Sequence, residues 1–170
     1  MHAPCLVHPR SHGLTLFEAL ASLAVLTALL VSAIPTLSAL RGRSAILQAR
    51  AQFEADWQWA RWHALRAAQA LRLQAIAPCP RQTTGNSLNC GWQWVTLDQG
   101  QVFQASPLPV GLNVSFKPAD GWRVDAWGET LGGGASVLFQ STLAPGLVPQ
   151  TLCLNVLGRL RRVQGEACSD

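Results

Sequence analysis

Two hydrophobic patterns run end to end through the first part of the chain. From Ala19 to Leu40 no residue carries a formal charge, and beyond Arg41-Gly42-Arg43 apolar side chains recur at Ile46, Ala49, Phe53, Trp57, Ala60, Ala64, Ala67 and Leu71. The first pattern predicts a helix that is apolar on all sides. The second, with a mean step of about 3.6 residues, predicts its continuation with one apolar face. The segment 14–40 is therefore read as a hydrophobic helix and 41–75 as its amphipathic extension. At about 100° per residue, Trp59 and Trp62 fall nearly opposite Trp57, so the rod has either a wide core stripe or a partner on each side. Arg43, Arg50, Arg61 and Arg72 form a row along one flank, where Glu54 can pair with Arg50. Such rows are ordinarily solvated faces.

After Leu71 the period changes to two. Leu71 to Ala77, Gly91 to Leu97, Gln101 to Ala105, Leu112 to Phe116, Ser136 to Phe139, Thr151 to Val156 and Leu160 to Val163 read as short strands. Turn-forming clusters separate them, including Thr83-Thr84-Gly85-Asn86 and Ser106-Pro107-Leu108-Pro109. Connections this short suit antiparallel pairing, because parallel strands need crossover helices. The expected fold is α+β: a long N-terminal hydrophobic helix whose C-terminal half packs on antiparallel β-sheets, with residues 76–170 as the β headgroup. Pro118 to Gly134 has no strong period and reads as a long surface loop carrying Trp122, Arg123 and Trp127.

Composition narrows the class. The 170 residues suffice for one domain with a sizeable core. With 49% hydrophobic and 13% charged residues the chain is no disordered segment. The uncharged run covers roughly 33 Å at about 1.5 Å per residue, the thickness of a bilayer core, so one membrane-length segment precedes one domain. The net charge of +4 rests on 13 basic residues, of which Lys117 is the sole lysine. Guanidinium forks suit phosphates and carboxylates, although a surplus of this size does not by itself require a polyanion partner.

The N-terminus sharpens the picture. Residues 1–13 are short, polar and weakly basic, and no small-residue signal-peptidase site follows the apolar run, so that run is expected to be retained. The plain reading is a single-pass anchor. Glu18 argues for more, since a carboxylate near a bilayer segment needs a partner. Cleavage after Gly13 would place a new amino group on Leu14, one helical turn from Glu18. The stretch Gly13-Leu14-Thr15-Leu16-Phe17-Glu18 followed by the uncharged run and Pro35 resembles the class III signal of type IV pilins and type II secretion pseudopilins. That resemblance implies that 1–13 is a leader removed by a prepilin peptidase, that Leu14 is methylated, that Glu18 guides packing among subunits, and that Pro35 interrupts or kinks the helix. Leu14 departs from the commonest first residue of the family, Phe.

Five cysteines are present, but Cys5 would leave with the leader. The remaining four allow three pairings. The local one, Cys79 with Cys90 and Cys153 with Cys168, is favoured because each loop it closes contains turn residues. This implies an oxidising compartment. A zinc site using Cys79, Cys90 and His63 is the weaker alternative, because no close Cys-x-x-Cys pair exists.

The C-terminal segment Gly158-Arg159-Leu160-Arg161-Arg162 concentrates three arginines at the end of the predicted sheet. If it is extended, Arg159 and Arg161 share a face and Arg162 takes the other. Arginine forks bind phosphates bidentately, while the bland alternative is a solvated hairpin whose charges block edge pairing. Ala60-Arg61-Trp62-His63-Ala64, Gly91-Trp92, Val137-Leu138-Phe139 and Gly158-Arg159 followed by Cys168 are similar to the GspH/FimT branch of minor pilins. Some FimT-type members bind DNA for natural transformation through a C-terminal Gly-Arg-x-Arg motif. The resemblance implies that role for Gly158, Arg159 and Arg161, with Arg162 as an addition. Lys117 and Arg123 are candidate extensions of the basic surface, named on their charge alone because no sequence signal sets them beside the tail.

No catalytic constellation is recognisable: outside the leader His63 stands alone, and Gly132-Gly133-Gly134 lacks the lysine of a phosphate loop. The sequence thus points to a non-enzymatic filament subunit without cofactor. It is expected in the inner membrane with a periplasmic headgroup, and then in a pilus or pseudopilus. Its expected partners are DNA, other pilins, prepilin peptidase and the membrane. The alternatives are a structural subunit that primes pilus assembly, a type II secretion pseudopilin without DNA binding, and an anchored domain that never polymerises.

Overall fold

The computed structural model describes residues 15–82, 84–118, 122–131 and 134–168, with side chains at 31–33 and 35 excepted. The chain divides into two compact units, 1–37 and 38–170. One helix, α1 (Leu16–Ala67), carries residues of both.

In the first unit the helix begins beside Thr15, whose hydroxyl oxygen accepts a hydrogen bond from the Glu18 backbone N–H at 3.3 Å. Thr15 and Glu18 thus stand at capping-box spacing, and Glu18 sits in the first turn, where the helix dipole favours a negative charge. Leu20, Leu23, Leu26, Leu30 and Ile34 are exposed along this part. Ser22 and Thr27 hide their hydroxyls by donating to the carbonyls of Ala19 and Ala24. Among the described residues no helix is long and apolar enough to cross a membrane. Gly13 and Leu14 lie outside the described residues. At Pro35 the backbone stays helical, so the expected interruption there is corrected: losing one N–H leaves the flanking hydrogen bonds to carry the helix through.

In the second unit the helix ends at Ala67 instead of running to residue 75. Ala68 turns left-handed with φ of 50°, and Gln69 N–H bonds back to the Ala64 carbonyl at 3.1 Å, a stop usually built on glycine. The expected stripe is the buried one: Ile46, Ala49, Phe53, Trp57, Ala60 and Ala64 all face the core. Only Ala67, in the last turn, is exposed.

Among the described residues nine strands follow: β1 (Leu71–Ala75), β2 (Gly91–Thr96), β3 (Val102–Pro107), β4 (Leu112–Lys117), β5 (Arg123–Val124), β6 (Thr130–Leu131), β7 (Ala135–Ser141), β8 (Gln150–Leu154) and β9 (Leu160–Gln164). They form two antiparallel sheets, ordered β3-β2-β1-β5-β6 and β4-β7-β8-β9. The helix joins both through aromatic contacts. Phe53 meets Trp92, Trp122 and Phe139 edge-on at 5.1, 5.2 and 6.1 Å, and Trp57 meets Trp94 and Trp122.

The stretch from Pro118 to Gly134 departs from the loop expectation. It contains the two-residue strands β5 and β6, and Trp122 is buried between Phe53 and Trp57. Two-residue strands are too short to show an alternation, so periodicity does not reveal them. Trp127 does stay exposed. On the helix, Trp59 packs at the core edge and stacks on His63, which meets Phe103, whereas Trp62 lies open under Arg66. The proposed arginine row is broken up as well: Arg72 belongs to β1, where it pairs with Val95 of β2.

A buried carboxylate pins the helix to the first sheet. Asp56 accepts hydrogen bonds from Trp92 Nε1 (2.8 Å), Ser106 Oγ (2.5 Å), Gln104 Nε2 (2.6 Å) and Gln52 Nε2 (2.9 Å). Such a set satisfies a charge that would otherwise be expensive to bury.

Candidate functional site

Register across the second sheet decides which basic residues share a surface. Lys117 pairs with Ser136, Ser136 with Cys153, and Cys153 with Arg161, so one cross-strand row runs over all four strands. Partners in register point to the same face. That face is the outer one, because the alternate residues Phe116, Val137, Leu152 and Leu154 are buried in the core. Three strand spacings of about 4.8 Å separate the backbones of Lys117 and Arg161 by roughly 14 Å. Arg159 joins them at the end of the row, and Lys117, Ser136, Cys153, Arg159, Arg161 and Cys168 line one open groove of about 1030 Å³.

Both disulfides take the favoured pairing, Cys79–Cys90 and Cys153–Cys168. The first removes Cys79 and Cys90 as zinc ligands. The second lies in the groove and holds the chain after β9 against β8.

Arg159 is presented by a turn that the helix grips. The β8–β9 connection closes with Gly158 N–H on the Asn155 carbonyl (3.0 Å), Arg159 N–H on Asn155 Oδ1 (2.8 Å) and Asn155 N–H on the Arg159 carbonyl (3.1 Å). Gly158 has φ of +76°, and a Cβ there would lie 3.0 Å from Arg61 Cζ. The conformation therefore favours glycine, and a side chain there would also press on the Arg61 guanidinium. Its carbonyl accepts from Trp57 Nε1 and Arg61 Nη1, each at 3.3 Å, while Arg61 Nε donates to the Gly128 carbonyl at 2.9 Å. Gly158 therefore does not itself face the groove; it positions Arg159.

Arg162 takes the opposite face, as the alternation requires, and is committed to the helix. Its Nε and Nη2 donate to Glu54 Oε1 and Oε2 at 2.8 and 2.5 Å. This fork-to-fork contact raises the Arg162 pKa above its ordinary value, first through the hydrogen bond and then through the charge of Glu54. Arg50 stands 3.6 Å from the same carboxylate, so the expected Arg50–Glu54 pair exists but shares its acid with Arg162. Of the basic residues singled out in the sequence, Arg159, Arg161 and Lys117 line the groove, and Arg162 points away from it. Arg123 lies in β5 of the other sheet, paired with Arg72, and does not line the groove. Lys117 is a candidate from sequence on charge alone, because its place in one row with Arg161 is set by strand order.

Comparison with known proteins places the fold. Neither a protein-family model nor a curated protein matches the chain. Among solved structures, the type IV minor pilin FimU of Pseudomonas aeruginosa superposes with a TM-score of 0.58 at 16% identity, over 75% of this chain and 97% of that one. A second crystal form of FimU gives 0.53 at 17% identity, over 75% and 99%. The chain has a pilin-like fold. The minor pseudopilin EpsH from the Type 2 Secretion System of Vibrio cholerae has the same fold, with a TM-score of 0.52 at 16% identity over 71% of this chain and 96% of that one.

Proposed function

We propose that this chain is a minor pilin or pseudopilin whose groove binds the DNA backbone, without reading its sequence, during DNA uptake. The reading rests above all on the cross-strand row that carries Lys117 and Arg161, with Arg159 fixed beside it. Phosphates follow one another closely along a nucleic acid, so a basic row of roughly 14 Å can meet several at once. Contacts of this kind position a duplex and carry no base code. The exposed apolar residues of 16–37 suit a helix that inserts in the inner membrane and then packs among other subunits. In this reading prepilin peptidase cuts after Gly13, Leu14 is methylated and Glu18 meets the new terminus of a neighbouring subunit.

Full-length protein in detergent, titrated with labelled duplex DNA at several salt concentrations, tests the groove. Neutralising three phosphates should give a slope of log K against log salt of about −2.7, and Arg159→Gln with Arg161→Gln should reduce it to about −0.9. An unchanged slope in the double variant would overturn DNA binding by the groove.

EpsH and FimU resemble the chain to a similar degree, which favours a second reading: a structural subunit of a pilus or of a type II secretion pseudopilus, with no affinity for DNA. Its gene deletion should then abolish fibres or secretion, with no loss confined to transformation.

A further inference from the structure

One exposed aromatic stands on a turn that is tied by hydrogen bonds to the β8–β9 connection, which carries Arg159. Trp127 is 79% exposed. Its own N–H and that of Glu129 both donate to Asp125 Oδ1, at 2.9 and 2.8 Å, and Gly128 N–H closes on the Asp125 carbonyl at 3.0 Å. The turn is then docked at two points. Arg61 binds the Gly128 carbonyl with Nε and the Gly158 carbonyl with Nη1, and Thr130 Oγ1 donates to the carbonyls of Asn155 and Val156 at 3.2 and 2.8 Å. One guanidinium therefore holds the residue after Trp127 and the residue before Arg159. The turn that carries the solvent-facing indole is thus docked on the turn that carries Arg159.

Burial does not explain this tryptophan, since Trp122 five positions earlier supplies the core aromatic of the same stretch. Its charged neighbours add a constraint. Asp125 is engaged within the turn, and Glu129 is exposed beside it, so phosphates are repelled from Trp127 and drawn to Arg159 and Arg161. A ligand that satisfies both features has a neutral planar part for the indole and an anionic backbone for the arginines. Duplex DNA offers only the second, because its bases are stacked and paired. Single strands offer both, and aromatic stacking on a basic track is how sequence-tolerant single-strand binding is built.

We infer that Trp127 is a stacking platform for an unpaired base, making this groove a site for single-stranded nucleic acid or frayed duplex ends. This rests on the DNA-binding reading above. The test measures anisotropy of labelled oligothymidine of about 12 nucleotides, and of a blunt duplex closed by hairpins, with full-length protein in detergent. Trp127→Ala should weaken single-strand binding by about 5- to 100-fold, with closed-duplex binding unchanged within about twofold. Trp127→Phe should retain most of the affinity. Equal single-strand affinity in wild type and Trp127→Ala would overturn the inference, as would a loss of filament assembly with single-strand binding intact, which would mark the indole as a contact for another subunit. Arg159→Gln with Arg161→Gln should weaken both ligands. If they do so while Trp127→Ala changes neither, the groove stands and the platform falls; if wild type binds neither DNA form, the functional reading itself fails.

Discussion

At the scale of single residues, Gly158 shows how a motif read as ligand-binding can act through geometry. Its φ of +76° strains any side chain, and a Cβ 3.0 Å from Arg61 Cζ would make the guanidinium give by a few tenths of an ångström. Gly158→Ala should cost about 1–2 kcal/mol from backbone strain alone, and more if Arg61 is displaced. The check is denaturant unfolding of the purified protein, paired with DNA titration, because moving the turn also moves Arg159. Arg162 makes a similar point. The sequence places it within a cluster of arginines, yet Glu54, far away in sequence, accepts its fork. An alternating strand predicts that Arg162 faces away from Arg159 and Arg161; it does not predict which acid lies opposite.

Among elements, the helix and the first sheet are joined by Asp56. Trp92 and Ser106 are buried, so Asp56→Ala leaves two donors without an acceptor and should cost about 2–5 kcal/mol. Asp56→Asn, which keeps an acceptor, should cost less. Chemical denaturation followed by tryptophan fluorescence separates the two, and equal stability of Asp56→Ala and wild type would contradict the pinning role. Nothing in the sequence singles out Asp56, since the helical pattern marks only apolar positions. The buried stripe from Ile46 to Ala64 was fully legible, because a 3.6-residue period follows from helix geometry alone. Seven strands were legible by their alternation. The two strands missed, β5 and β6, are held by pairing with β1 and with each other and not by any pattern of their own. The helix stop at Ala67 was missed for a related reason: Ala68 adopts a left-handed conformation that alanine does not advertise.

For the whole molecule, the proposed processing and assembly depend on the first residues. Mass spectrometry of protein from membranes should find Leu14 as the first residue, methylated, with residues 1–13 gone. An intact Met1 would remove the proposed pilin role while leaving the fold untouched. The sequence alone determined the apolar run, the amphipathic stripe and the alternating strands, because each is written in spacing along the chain; it favoured the local disulfide pairing, and the structure decided it. Tertiary structure decided which distant groups meet. Strand order set Lys117 in one row with Arg161, the helix drew Arg162 out of the cluster onto Glu54, and Arg61 brought the turn of Trp127 to that of Arg159. Those neighbours are separated by long stretches of chain, and only the packing of two sheets on one helix fixes their distances.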